Sequence, residues 1–246
     1  MIEKYLVKKI TEPVDWKVTV PGSKSMTNRA LLMAVLSAGT VRVEGVLFSD
    51  DSRHFLACLV ALGFTVEIEE EKKCVTVTGC GGRIPRGEAV IDVGSAGTAA
   101  RFLAAMLGFS DGCYEIHCSA QMKRRPMAEL FDLLSGAGAK ITFLEEEGHL
   151  PVRITGCRYA RADKTAGETP RELSLDITKS TQFLSALLLI APMVPEGMKI
   201  HITSEKTDGS YIRITRKMMQ EFGVSVTFDG RDYEVPAEAS YRKETY

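Results

Sequence analysis

Gly136-Ala137-Gly138-Ala139-Lys140-Ile141-Thr142-Phe143 runs through the charged turn Glu145-Glu146-Glu147-Gly148 into Val152-Arg153-Ile154-Thr155-Gly156. The stretch reads as a helix end closed by glycine, followed by two alternating strands joined by a turn. The same order recurs on both sides. Upstream, Ala61-Leu62-Gly63-Phe64-Thr65-Val66-Glu67-Ile68 leads through residues 69–73 into Cys74-Val75-Thr76-Val77-Thr78-Gly79. Downstream, Gln220-Glu221-Phe222-Gly223-Val224-Ser225-Val226-Thr227-Phe228 leads through Asp229-Gly230 into Tyr233-Glu234-Val235. Recurrence at about 75–85 residues marks a supersecondary unit written three times, longer than the usual solenoid repeat.

Ahead of each hairpin, apolar residues at helical spacing predict two helices: 24–37 and 50–62, 97–107 and 126–135, 181–190 and 211–222. Extended segments Trp16-Lys17-Val18-Thr19-Val20 and Ala89-Val90-Ile91-Asp92-Val93 precede the first helices of two units. The expected fold is therefore α/β (α+β), three βαβαββ units packed around parallel helices. The helix at 181–190 is apolar nearly all round and is expected to be the most buried. The competing reading is an ordinary α/β domain with accidental hairpin similarity.

With 246 residues, 45% apolar and 26% charged, the chain has the composition of a globular protein with a large core, which argues against disordered and fibrous classes. A net charge of −1 supplies no global basic field for nucleic acid, so any anion binding must come from local clustering. Six cysteines without a C-x-x-C pair, and four histidines without metal-ligand spacing, predict reduced, mostly buried thiols and no metal site. The start, Met1-Ile2-Glu3-Lys4-Tyr5-Leu6, lacks the apolar core of a signal peptide, and the apolar run 183–194 is too short to span a bilayer. A cytoplasmic location is expected.

Local cation and hydroxyl clusters stand at predicted helix starts. In Pro21-Gly22-Ser23-Lys24-Ser25-Met26-Thr27-Asn28-Arg29-Ala30, Ser23 can cap a helix whose first N–H groups lack intrahelical partners, and Lys24 and Arg29 add full charges. Gly94-Ser95-Ala96-Gly97-Thr98-Ala99-Ala100-Arg101 opens the next unit with a turn that allows close backbone approach to a ligand. Gln121-Met122-Lys123-Arg124-Arg125-Pro126 sets three cations before a proline-started helix. Lys179-Ser180-Thr181-Gln182-Phe183 brings hydroxyls and an amide to the third unit. Taken singly, these are ordinary caps, packing glycines and solvated charges. If the helices pack in parallel, the four ends form one positive funnel suited to phosphorylated, carboxylated ligands.

Together the motifs resemble the 5-enolpyruvylshikimate-3-phosphate synthase family: PGSKSxxNRAL at Pro21, GNAGTxxR at Gly94, RMKxRP at Gln121 and SSQF at Ser180. The resemblance implies transfer of the enolpyruvyl group of phosphoenolpyruvate to the 5-hydroxyl of shikimate 3-phosphate, in the shikimate pathway of aromatic amino-acid biosynthesis. In that reaction the hydroxyl adds to C2 of protonated phosphoenolpyruvate and phosphate leaves from a tetrahedral intermediate, without cofactor or metal. It also implies roles by position. Lys24 is the catalytic candidate, for proton transfer or leaving-group stabilisation. Lys24, Ser25, Arg29, Ser180, Thr181, Gln182 and Tyr211 bind shikimate 3-phosphate. Lys24, Gly97, Thr98, Arg101, Arg125 and Gln182 frame phosphoenolpyruvate. Asp50-Asp51-Ser52-Arg53-His54 resembles the family's SDDxxH and makes Asp51 a neighbour of Lys24. Ser95, Phe102, Gln121 and Asp208 depart from the family pattern; an aspartate in the serine's place beside a phosphate would repel it.

Family members run to well over four hundred residues. Residues 1–20 are therefore expected to belong to the second domain or hinge, 21–235 to the triplicated domain, and 236–246 to the hinge and the start of the second domain. The expected partners are the two substrates and the C-terminal half of the same enzyme, and the isolated chain is expected to be inactive. Two alternatives stay open: half of a related enolpyruvyl transferase acting on a UDP-sugar, and a non-catalytic ligand-binding or interaction module with the same fold.

Overall fold

A computed structural model describes residues 6–157 and 169–246; the expectation for residues 1–5 lies outside the described residues. The first unit comprises α1 (Lys24–Leu36), β1 (Thr40–Glu44), α2 (Asp50–Ala61), β2 (Thr65–Glu69) and β3 (Cys74–Thr78). The second runs through β4 (Glu88–Asp92), α3 (Gly97–Gly108), β5 (Cys113–His117), a short α4 (Ala120–Lys123), α5 (Ala128–Gly136), β6 (Lys140–Phe143) and β7 (Val152–Thr155). In the third are β8 (Arg171–Leu175), α6 (Thr181–Ile190), a 3-10 turn at Ala191–Met193, β9 (Met198–Ile202), α7 (Ser210–Glu221), β10 (Thr227–Phe228) and β11 (Asp232–Val235).

Two of the three sheets have the same order, β4-β5-β7-β6 and β8-β9-β11-β10. In each, the first two strands are parallel, joined across a helix, and the remaining ladders are antiparallel. A parallel pair requires such a crossover, whereas the closing hairpin requires only a turn. The three-unit reading is therefore legible at the level of strand order, and the second helix of every unit ends in the same way. Gly63, Gly138 and Gly223 take φ of 93°, 100° and 91°. The following residue in each case donates back to the carbonyl five positions earlier: Phe64 to Leu59, Ala139 to Leu134 and Val224 to Met219. Such a left-handed cap ends the helix and turns the chain into its strand; a side chain there would be strained.

The first unit differs at one edge. Its sheet is β1-β3-β2, without the leading strand that Trp16–Val20 was expected to supply. Residues 6–20 form neither helix nor strand, and Trp16, Val18 and Val20 are 68%, 74% and 77% exposed. The edge of β1 is instead met by the other end of the chain. Arg42 N donates to Glu244 O and Tyr246 N to Arg42 O, both at 2.8 Å, forming a parallel bridge between Arg42 and Thr245. The approach is anchored in the third unit, where buried Tyr241 donates its hydroxyl to Leu189 O at 2.8 Å and meets Phe222 edge-on. The last residues thus connect unit three back to unit one.

The core lies between the sheets and the helices. The sequence singled out α6, and Phe183 to Ile190 are indeed buried, but α3 is buried along its whole length. Ala99, Ala100, Ala104 and Ala105 let neighbours approach α3 closely, and its polar Thr98 and Arg101 point into the interior rather than to solvent. Two local readings also change. The basic cluster does not start a helix at Pro126: Lys123 ends α4, Arg124 caps it, and α5 begins at Ala128. Ser119 causes this by accepting from Met122 N and nucleating a turn ahead of the proline. The strand expected after Gly223 shortens to Thr227–Phe228. Cys58, Cys74 and Cys157 are buried, Cys113 and Cys118 are half-buried, and Cys80 is exposed.

Candidate functional site

Contacts between successive helices, formed chiefly at their first turns, link the motif residues of all three units. Ser23 caps α1 by accepting from Met26 N, and Lys24 in the first turn places Nζ 3.0 Å from Asp51 Oδ2 at the start of α2. One turn later on α2, His54 lies against Gly94: a Cβ built on that glycine, whose φ is +54°, would fall 2.3 Å from the imidazole Nε2. Glycine is therefore required on two counts, backbone conformation and space. The turn it opens leads to Gly97 and Thr98 at the start of α3.

Two guanidiniums converge over Gly97. A Cβ at that position would lie 2.5 Å from Arg125 Nη1 and 2.8 Å from Arg101 Nη1, so the missing side chain leaves room for both. Arg101 donates to Gly97 O at 2.9 Å and sits 5.4 Å from the Phe183 ring centre. Its Nε is buried without a hydrogen-bond partner among the described residues. Burial, and secondarily the charge of Arg125, lower the Arg101 pKa from its ordinary value. Among the described residues no carboxylate forms an ion pair with either arginine, whereas nearby Lys123 is paired with Glu145 and Lys179 with Glu129. A buried cation beside a second cation is costly without an anion, and this arrangement suits a ligand that brings one.

Ser180 caps α6 by accepting from Gln182 N at 3.2 Å, so the expected cap is present at this motif. Gln182 Oε1 is buried and unpartnered among the described residues. Thr181 faces the start of α7, where its methyl lies 3.5 Å from a Cβ built on Gly209. Tyr211, in the first turn of α7, is 51% exposed, and its ring covers the Arg29 guanidinium at 5.5 Å. Phe102 approaches the same guanidinium at 5.2 Å. Contacts thus run from α1 through α2, α3, α6 and α7 and return to α1.

The structure brings Lys24, Gly97, Thr98, Arg101, Arg125, Ser180, Thr181, Gln182 and Tyr211 to this set of linked helix starts. Ser25 is half-buried beside Lys24. Arg29 is placed deeper than a surface phosphate ligand: it is 2% exposed and donates to Ser25 O, Thr215 Oγ1 and Ser185 Oγ. Burial pushes its pKa down to about 10. Asp208 has its own cation, Arg213 Nη1 at 2.7 Å. Burial raises the Asp208 carboxyl, but Arg213, the Gly209 N–H and Tyr233 together hold it below the ordinary value. Its charge is matched within α7's own first turns. Sequence reasoning missed Ser185 and Thr215. Their signal was spacing, since each follows a candidate ligand residue by four positions.

The EPSP synthase (3-phosphoshikimate 1-carboxyvinyltransferase) family model matches residues 8–244. The chain belongs to the EPSP synthase family. A 3-phosphoshikimate 1-carboxyvinyltransferase of Trichormus variabilis is 36% identical over 238 residues, covering 96% of this chain and 54% of that protein. Its counterpart from a Sulfurovum species is 42% identical over 214 residues, covering 87% of this chain and 48% of the relative. The chain spans about half the length of these curated relatives. An EPSP synthase structure from Acinetobacter baumannii superposes with a TM-score of 0.75 at 24% identity, over 93% of this chain and 48% of that one. That likeness shows the fold, the enolpyruvyl transferase architecture of which this chain forms a domain-like half.

Proposed function

We infer that this member of the EPSP synthase family is the shikimate 3-phosphate-binding half of an enzyme that transfers the enolpyruvyl group of phosphoenolpyruvate to the 5-hydroxyl of that substrate. The observation that carries the reading is the pair Arg101 and Arg125 converging over Gly97, without an acid among the described residues. Planar guanidiniums can each give a carboxylate or phosphate two parallel hydrogen bonds. In this reading Gly97, Thr98, Arg101, Arg125 and Gln182 frame phosphoenolpyruvate. Ser25, Ser180, Thr181, Gln182 and Tyr211 position shikimate 3-phosphate, with Arg29 beneath Tyr211. Lys24, held by Asp51 and half exposed, serves both ligands and stabilises the departing phosphate or moves a proton.

The domain assignment follows the same reading. The exposed alternation of Trp16, Val18 and Val20 supports giving the segment before Pro21 to the other half, where a second sheet or core would cover it. Residues 236–246 lead to the hinge after their pairing with β1. The partners are the two substrates and that other half. No described helix is long and apolar enough to cross a membrane, and a cytoplasmic site of action accords with the small phosphorylated substrates.

Calorimetry with shikimate 3-phosphate and with shikimate tests the reading. The chain is expected to prefer the phosphorylated ligand, with about 1.5–3 kcal/mol for each charge-assisted hydrogen bond removed. Ser180→Ala combined with Thr181→Ala is expected to abolish the preference. Equal affinity for both ligands refutes the assignment. Phosphate release from shikimate 3-phosphate plus phosphoenolpyruvate is expected to stay far below an enzymatic rate of about 1 per second, because closure against the other half supplies the water-excluded site.

A further inference from the structure

Arg29 does not end the network it enters. Its Nη1 donates to Ser25 O at 2.8 Å within α1, its Nε to Thr215 Oγ1 at 2.8 Å on α7, and its Nη2 to Ser185 Oγ at 3.4 Å on α6. Each hydroxyl then donates one helical turn back, Thr215 to Tyr211 O at 2.8 Å and Ser185 to Thr181 O at 3.2 Å. The three end points, Ser25, Thr181 and Tyr211, are among the residues proposed to position shikimate 3-phosphate. They sit in the first turns of three different helices.

A serine or threonine inside a helix often returns its proton to the carbonyl four residues earlier, and that bond alone would mean little. Here the same oxygens also accept from a buried cation on another helix, and Thr215 and Ser185 are both fully buried. A hydroxyl can serve this way because it has one proton to give and lone pairs to receive. Valine has threonine's shape and neither capacity. We propose that Thr215, with Ser185 in a lesser part, is a positioning residue: through Arg29 it holds the starts of α1, α6 and α7 in the spacing that shikimate 3-phosphate requires. The proposal rests on the substrate reading given above and adds to it the residues that set its geometry.

Two measurements on the chain separate the proposal from that reading. In calorimetric titrations with shikimate 3-phosphate, Thr215→Val is expected to weaken binding about tenfold, the effect of losing one charge-assisted hydrogen bond, while Thr215→Ser keeps it within about threefold of wild type. Wild-type binding in Thr215→Val, or a Thr215→Ser as weak as the valine variant, overturns the proposal, the latter because the methyl group rather than the hydroxyl would then matter. The second measurement needs no ligand. The Arg29 Nε–H resonance of the nitrogen-15-labelled chain is expected to exchange slowly with water in wild type and Thr215→Ser, and about tenfold faster in Thr215→Val. Unchanged protection overturns the proposal even if the wild type binds nothing, whereas a wild type that fails to bind while the resonance responds sinks only the substrate reading. Should Thr215→Val not fold, Ser185→Ala cuts the longer relay alone. It is expected to weaken binding about threefold, and unchanged affinity there overturns the proposal.

Discussion

Arg29 and Arg101 stand in similar places, in the second turn of the first helix of unit one and of unit two. Both are buried, both donate to the carbonyl four residues earlier, and both lie over a phenylalanine ring. Burial lowers the pKa of both. They differ in what surrounds the rest of the guanidinium. Arg29 reaches hydroxyls on two further helices, while Arg101 keeps a buried Nε without a partner among the described residues and faces Arg125. An arginine in the second turn of a unit's first helix thus ties three helices together in one copy, and in the other is left with an unpartnered donor beside a second cation, as the proposed phosphoenolpyruvate site requires.

The sharpest way to break the comparison is to replace each arginine by methionine and unfold the chain in urea. Arg29→Met is expected to cost about 1–3 kcal/mol, since three hydrogen bonds from a charged donor outweigh the relief of burying no charge. Arg101→Met is expected to stay within about 1 kcal/mol of wild type, because it loses one bond but removes an orphaned donor and a repulsion. Equal costs, or a reversed order, would end the distinction.

Adding an anion should separate the two sites in the opposite sense. Phosphoenolpyruvate is expected to raise the melting temperature of the wild-type chain, with a stabilisation of about 2.7 kcal/mol at a concentration one hundred times the dissociation constant. That gain is expected to vanish in Arg101→Met with Arg125→Met. A double variant that still gains in full would place the anion elsewhere.

Asp208 offers the smallest effect and the control, a charge at a helix start that already has its partner. Its folded-state pKa lies below its ordinary value, so its contribution is present above the unfolded pKa and is lost as pH falls through the folded one. Because Arg213 is largely exposed, Asp208→Asn is expected to cost under about 1 kcal/mol at neutral pH. The difference from wild type should fade as the pH falls below about 4. A penalty that persists at pH 2 would mean that the aspartate acts through something other than its charge.

Much of the fold is legible in local sequence because the devices that build it are local. Gly63, Gly138 and Gly223 announce three helix ends through backbone conformation alone, and the predicted helices lie within about two residues of those found. What escaped depends on distant partners. Nothing in Lys243-Glu244-Thr245-Tyr246 spells a strand; these residues pair because β1 offers a free parallel edge two hundred positions earlier. Trp16 to Val20 does spell one, yet no described element covers it. The helix start with Lys24 could be read from its cap and charges, but the depth of Arg29 could not, because it is set by hydroxyls that arrive from α6 and α7. The burial of α3 was hidden by Thr98 and Arg101, polar residues whose direction only the packing reveals.

The pairing of residues 244–246 with β1 makes adjacency matter more than chain order. Tyr246 and Gly22 line the same small cavity beside α1, so the approach to the first unit and the residues that follow the third meet in space. The three units therefore form a ring closed by backbone hydrogen bonds rather than by a peptide bond. A chain rejoined across that cavity by a few glycines and reopened at the exposed turn between β2 and β3 is expected to have the same three sheets and the same ring of helix starts. Trp16 to Val20 would be left out of the ring, because in this structure it takes no part in closing it.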